Sequence, residues 1–319
     1  MKKDYKKIFY SGLIIYVIIA ALIWLLGPNL SKFPHLEDKG ASWYYWKLPE
    51  PTFWGRITSW GGYIIHQITV WTLAFLAINK KEKRDKYLRL LFYSNIIFVV
   101  LHLIQTHLFY DGIAQDVPIW SSQYSVIVML VLILFMLDNK RGMFFGKSIG
   151  IKKEYIENVK KWHGIYISWA LIYTFWFHPM EGEIGLLIGF IYMFLLFIQA
   201  SMIYTPIHYN LKWIAILETF VALHALSIAL QKGQEVWPMF LIGFLFMFVM
   251  TYQYGLKMKK IMYLINWILY ITLVIILYYF RGFNKLYELT FIPVALYGGV
   301  LLLLFVYTII FKFIPKKDH

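Results

Sequence analysis

The chain has 319 residues, of which 60% are hydrophobic, 20% aromatic and 15% charged, with no cysteine and a formal net charge of +14. Soluble domains carry about 25% charged residues, so this composition excludes a water-soluble fold. The missing cysteines exclude disulfides, thiolate metal sites, cysteine-ligated iron–sulfur clusters and a cysteine nucleophile. The positive charge does not point to nucleic acid, because the basic residues flank apolar runs, as topology signals and contacts to anionic lipid do.

Apolar runs of membrane-spanning length predict an all-α transmembrane bundle of about ten helices, at roughly 8–27, 57–79, 88–109, 119–137, 163–179, 184–204, 209–231, 238–254, 259–280 and 288–312. Residues 1–319 read as a single integral membrane domain of the cell membrane. Placing both termini in the cytoplasm puts most of the 31 basic residues in inner segments, including the cluster from Lys80 to Arg89 and that from Lys140 to Lys161.

The N-terminal run, Ile8 to Leu26 after Met1-Lys2-Lys3, has no small-residue cleavage site and ends at Gly27-Pro28-Asn29, so it reads as an uncleaved first helix. The first outer loop, Pro28 to Arg56, carries Trp43-Tyr44-Tyr45-Trp46, Pro49, Pro51 and Trp54. Such aromatic density fits either a headgroup-level anchor or a lid over an outward-facing site. In helix two, His66 shares a face with Ser59, Tyr63 and Thr69; in helix three, His102 shares one with Asn95, Gln105 and Thr106. His107 and Asp111 are four apart and meet if helix three continues that far. The charged stretch Asp138 to Lys161 reads as a loop with a short surface helix. Helix five has His163 at its inner end and His178 at its outer end, followed by Glu181 and Glu183. Helix seven has His208 at its inner end, Glu218 near mid-membrane, and His224 on one face with Ser227 and Gln231. Helices eight to ten hold no histidine and read as packing, lipid contact or a partner surface.

The histidines are the main functional signal, because ionisable groups inside a membrane mark sites by default. His66, His102 and His224 all fall roughly 10–14 Å below the outer surface at 1.5 Å per residue. Neutral imidazoles ligate haem iron and first-row metals well. These three are therefore the expected ligands of a haem b or a transition metal, with His107, His178, Asp111 and Glu181 as further ligands, second shell or access point. Tyr63, Tyr110 and Tyr173 are possible assistants. A pair of stacked haems is only half supported: His163 and His178 are close in rotation, but His208 and His224 lie about 160° apart on a regular helix.

No phosphate loop, Gly-x-Ser-x-Gly elbow, His-Glu-x-x-His helix or di-iron histidine box occurs. The leading expectation is a redox or metal-dependent membrane protein moving electrons between quinol and an outer-face partner. The alternative is a proton- or ion-coupled transporter using Glu218 and the histidines. Gly61-Gly62, Gly298-Gly299 and Pro293 are the only helix-breaking candidates it has. A third reading is a membrane subunit or assembly factor without chemistry of its own.

Overall fold

A computed structural model describes residues 2–37, 39, 45–231 and 235–313. The loop residues Trp43 and Tyr44, and His319 with the basic C-terminal end, lie outside the described residues. Among the described residues the chain folds into ten α-helices and no β-strand: α1 (Lys2–Leu26), α2 (Phe53–Asn79), α3 (Arg84–Phe109), α4 (Ile119–Arg141), α5 (Lys153–Phe177), α6 (Ile184–Ser201), α7 (Leu211–Gln231), α8 (Trp237–Met250), α9 (Lys260–Arg281) and α10 (Phe291–Phe313). Eight of them are long and apolar enough to cross a membrane, which makes this a multi-pass membrane protein.

The two exceptions have separate causes. α8 is only 14 residues long. α5 is long enough, but its first three turns carry Lys153, Glu154, Glu157, Lys160 and Lys161. It begins ten residues before the expected start at 163, so the surface helix expected in the charged stretch is the first part of α5 itself. Before it, Asp138 organises the loop: its carboxylate accepts from Ser148 Oγ at 2.5 Å and from the Ile149 amide at 3.1 Å.

Helix ends follow local chemistry. The Thr52 hydroxyl accepts the Gly55 amide and caps α2. α3 stops where Tyr110 takes a left-handed backbone, φ 44°. Asn210 Oδ1 accepts the amides of Lys212 and Trp213 and starts α7 two residues after His208. α2 runs unbroken through Gly61-Gly62, and Pro293 sits in the first turn of α10, where proline is tolerated.

Contacts divide the chain into two compact units, residues 1–126 with 163–237, and residues 127–162 with 238–319; the divisions fall inside α4 and α5 and after the first residue of α8. In the first unit α2 packs on α3, and α6 packs on α7, α1 and α3. α6 is its centre: 61% of its apolar window is buried, against 11% for α9 in the second unit. α6 also carries Gly185 and Gly189 one turn apart, a small-residue face of the kind that lets membrane helices approach closely. In the second unit, Tyr270 and Tyr278 of α9 join Ile242 and Val249 of α8 in one buried cluster. Arg281 closes α9 with a two-pronged pair to Glu288, at 2.9 and 2.7 Å.

Candidate functional site

Every intramembrane histidine expected to matter lies in the first unit. Its polar centre is an indole. Trp176, near the end of α5, donates from Nε1 to His66 Nδ1 at 3.2 Å. With that nitrogen accepting, His66 carries its proton on Nε2 and donates to Asn95 Oδ1 at 3.0 Å. Asn95 in turn donates to Ser201 Oγ, and Ser201 to the Phe197 carbonyl. Phe98 stacks on the His66 ring with centroids 4.3 Å apart. Both nitrogens of His66 are thereby engaged, and the ring is fully buried.

His102 lies against the same indole, ring centroids 4.3 Å apart. Its Nε2 meets the His178 carbonyl at 2.8 Å and its Nδ1 meets the Gln105 side chain at 3.1 Å. A neutral imidazole donates once, and His102 faces two oxygens, the His178 carbonyl and Gln105 Oε1, so its one N–H serves the shorter contact to the carbonyl. The expected polar face of α3 is real: Asn95, His102, Gln105 and Thr106 are all buried. Thr106 Oγ1 also accepts the Met180 amide at 3.0 Å, which ties the turn after α5 to α3.

His224 does not join His66 and His102. It turns to α6, where its Nδ1 donates to the Gly185 carbonyl at 3.1 Å. Gly189 makes the space: a Cβ there would lie 2.6 Å from the His224 ring. His178, one residue past α5, donates from Nδ1 to the Thr174 carbonyl at 3.3 Å and lies within electrostatic reach of both His224 and His102. So His178 is tied to His102 by a hydrogen bond and lies near His224. His178 and His224 share one disposition, Nδ1–H held by a backbone carbonyl. That disposition fixes the tautomer with its lone pair on Nε2, as in metal-ligating histidines.

The first loop roofs this end. Tyr45 OH and Trp46 Nε1 both donate to Glu183 Oε2, at 2.6 and 2.9 Å, and Gln231 of α7 donates to Glu183 Oε1 at 2.6 Å. Trp46 is buried, with its ring centroid 6.4 Å from that of His178. Trp46 is thus a contact over His178. Glu181 takes a different neighbour, His35 Nε2 at 3.1 Å, and the His35 ring stacks on Tyr110.

His107 and Asp111 are not brought together, because α3 ends between them. His107 donates to the Leu103 carbonyl, and Asp111 Oδ1 accepts the Gly112 amide at 2.8 Å. Among the described residues, the buried Asp111 Oδ2 has no hydrogen-bond partner. Burial, with Asp116 nearby, pushes the Asp111 carboxyl up to about 7. Glu218 is buried beside Tyr192. Tyr173 bonds Ser121 and packs edge-on to Tyr63, away from the indole centre. Gly62 does not break α2; it admits Trp176, whose ring would lie 2.1 Å from a Cβ there.

Among the described residues no three His, Asp or Glu side chains converge closely enough to hold a metal ion. The close histidine contact it does make is at the inner end of α5, His163 with His208, Nε2 to Nε2 at 3.0 Å, while His178 lies near both His224 and His102. The rotation separating His208 from His224 does not apply, because His208 precedes the first turn of α7.

No known family, curated protein or solved structure matches the chain.

Residue types alone do not reveal Trp176 or the Gly185 carbonyl. Tryptophan is one of 13 here, and a carbonyl acceptor leaves no mark in a sequence. The one legible signal is Gly185-x-x-x-Gly189, a face for close helix approach opposite a histidine-bearing helix.

Proposed function

We propose that this chain is a redox protein of the cell membrane that holds a histidine-ligated metal centre, a haem iron or a bare transition metal, in the outer half of the bundle. Electrons would pass between membrane quinol and an outer-face partner. His178 and His224 are the proposed ligands. His102 positions His178 through its carbonyl, and His66 and Trp176 hold His102 in place.

One observation carries this reading. Both candidate ligands have Nδ1 committed to a backbone carbonyl, with the lone pair on Nε2, under a roof of Tyr45 and Trp46 fastened to Glu183. Ordinary packing histidines satisfy the same carbonyls, so the experiment must read the metal directly. The protein purified in mild detergent is expected to show a reducible absorption band, or about one bound iron or copper per chain. His178→Ala and His224→Ala each abolish it. A featureless spectrum with no metal lost in either variant ends the proposal.

A transporter reading is supported by the buried carboxylate of Glu218 on α7. The buried histidines suit it equally, while the helices run continuous at Gly61-Gly62 and through Pro293 and add no broken-helix site. Proton-coupled flux in liposomes that Glu218→Gln abolishes would favour it over the redox reading.

A further inference from the structure

The second histidine pair lies outside the site above, at the other end of α5. His163 is in α5, and His208 is in the connection between α6 and α7. Their Nε2 atoms are 3.0 Å apart, and both residues are buried. Two features hold this arrangement.

The first is a clamp on His208. Its Nδ1 donates to the Gln199 backbone carbonyl at 3.0 Å, and its own carbonyl accepts the Gln199 side-chain amide at 3.1 Å. The other end of that amide, Oε1, accepts the Trp213 indole at 2.8 Å. The His208 ring is thus fixed by α6 and α7 together, with its proton on Nδ1 and its lone pair on Nε2, aimed at His163. Support of this kind for one ring nitrogen is what orients metal-ligating histidines.

The second is the backbone between α6 and α7. Tyr204, four residues before His208, holds a left-handed conformation at φ 65°. Its ring lies edge-on to His163, and the Arg84 guanidinium sits over it, 4.5 Å from the centroid. Non-glycine residues keep such backbones only where the surroundings impose them, and they gather at functional sites.

We infer that His163 and His208 form a binding site for one transition-metal ion of the kind imidazole prefers, zinc or copper. Metal–nitrogen bonds of about 2.0–2.1 Å at a tetrahedral angle place two ligand nitrogens roughly 3.3 Å apart, a few tenths of an ångström beyond the spacing seen here. Axial ligation of a haem needs roughly 4 Å and a slot for the macrocycle, so a bare ion fits this pair better. The ion takes the place of the proton that His163 Nε2 shares with His208; that proton moves to Nδ1 of the His163 ring, so both rings bind as neutral imidazoles and no net proton is released. Two protein ligands leave coordination positions open, so the ion is exchangeable, with water or a small anion completing its shell.

The test uses the full chain in mild detergent, stripped with a chelator and dialysed against micromolar zinc or copper(II) alone. One ion per chain is expected at this site, absent in His163→Ala and in His208→Ala. The copper(II) form should show electron paramagnetic resonance splittings from two imidazole nitrogens, reduced to one in either variant. Gln199→Leu keeps both ligands and the backbone carbonyl at Nδ1 but removes the side-chain ties to the His208 carbonyl and to Trp213, and is expected to weaken binding up to about 10-fold. His178→Ala and His224→Ala leave this ion in place, so loss of the outer site and loss of this one are separable. Equal metal content in the wild type and both inner variants overturns the inference. If those variants do not fold, a wild-type copper spectrum without two-nitrogen splittings overturns it alone.

Discussion

Asp111 shows how a single buried carboxyl makes stability depend on pH. One oxygen has an amide donor and the other has none, so burial outweighs the hydrogen bond and raises its pKa from 3.8 to about 7. Arg56 and Lys47 act in the opposite direction, and Asp116 adds to the rise. A carboxyl with a raised folded-state pKa stabilises the fold fully below the unfolded value, and loses that contribution as pH rises through the folded value. Stability is therefore expected to fall between about pH 4 and pH 7 and then level off. Asp111→Asn should flatten that fall in thermal melts from pH 4.5 to 8, and should melt above the wild type at pH 8. A variant curve parallel to the wild type would mean that another group titrates there.

At the scale of helices, the close approach of α6 and α7 depends on two glycines. A Cβ on Gly185 would lie 2.5 Å from Ile228, and one on Gly189 would lie 2.6 Å from the His224 ring. Gly189→Ala must push that ring or the whole of α7 away, at about 1–3 kcal/mol. The expected result is a lower melting temperature together with loss of any outer-site metal; retained metal at wild-type stability would show that α7 yields freely.

The order of the helices was legible in the sequence because a bilayer demands long apolar runs, and ten helices formed in the expected order, although α5 starts ten residues early and α5 and α8 are not among the eight apolar and long enough to span. The site was less legible. The polar face of α3 followed from spacing alone, but the convergence of His66, His102 and His224 rested on equal depth, and depth says nothing about rotation. His66 and His102 meet at Trp176, while His224 faces Gly185. His208 was misjudged for a related reason: treating it as helical gave it a rotation that it does not have.

Across the molecule, chemistry and bulk are divided. The candidate ligands lie wholly in residues 1–126 and 163–237, whereas α8, α9 and α10 supply tyrosine clusters and large exposed apolar side chains such as Phe280 and Phe313. In that second unit the Arg281–Glu288 pair, joined by Tyr278 at 3.2 Å, ties the end of α9 to the segment before α10. Arg281→Ala is expected to cost about 1.5–3 kcal/mol in detergent unfolding and to leave metal content unchanged. A coupled loss of metal would show that the two units do not act separately.

The charge on the first turns of α5 bears on how the protein is made. Only the stretch from Trp162 to Phe177 is free of acidic and basic side chains other than His163, and α5 is not among the helices apolar enough to cross alone. During synthesis it would leave the insertion machinery as a reluctant passenger, held at the interface until α6 emerges behind it. Glycosylation mapping of chains truncated near Glu183 and near Asn210 tests this: the shorter chain should leave α5 uninserted and the longer one should carry it across. Trp176 and His178 would then take their places only once α6 has been synthesised, and assembly of the site would follow the order of translation.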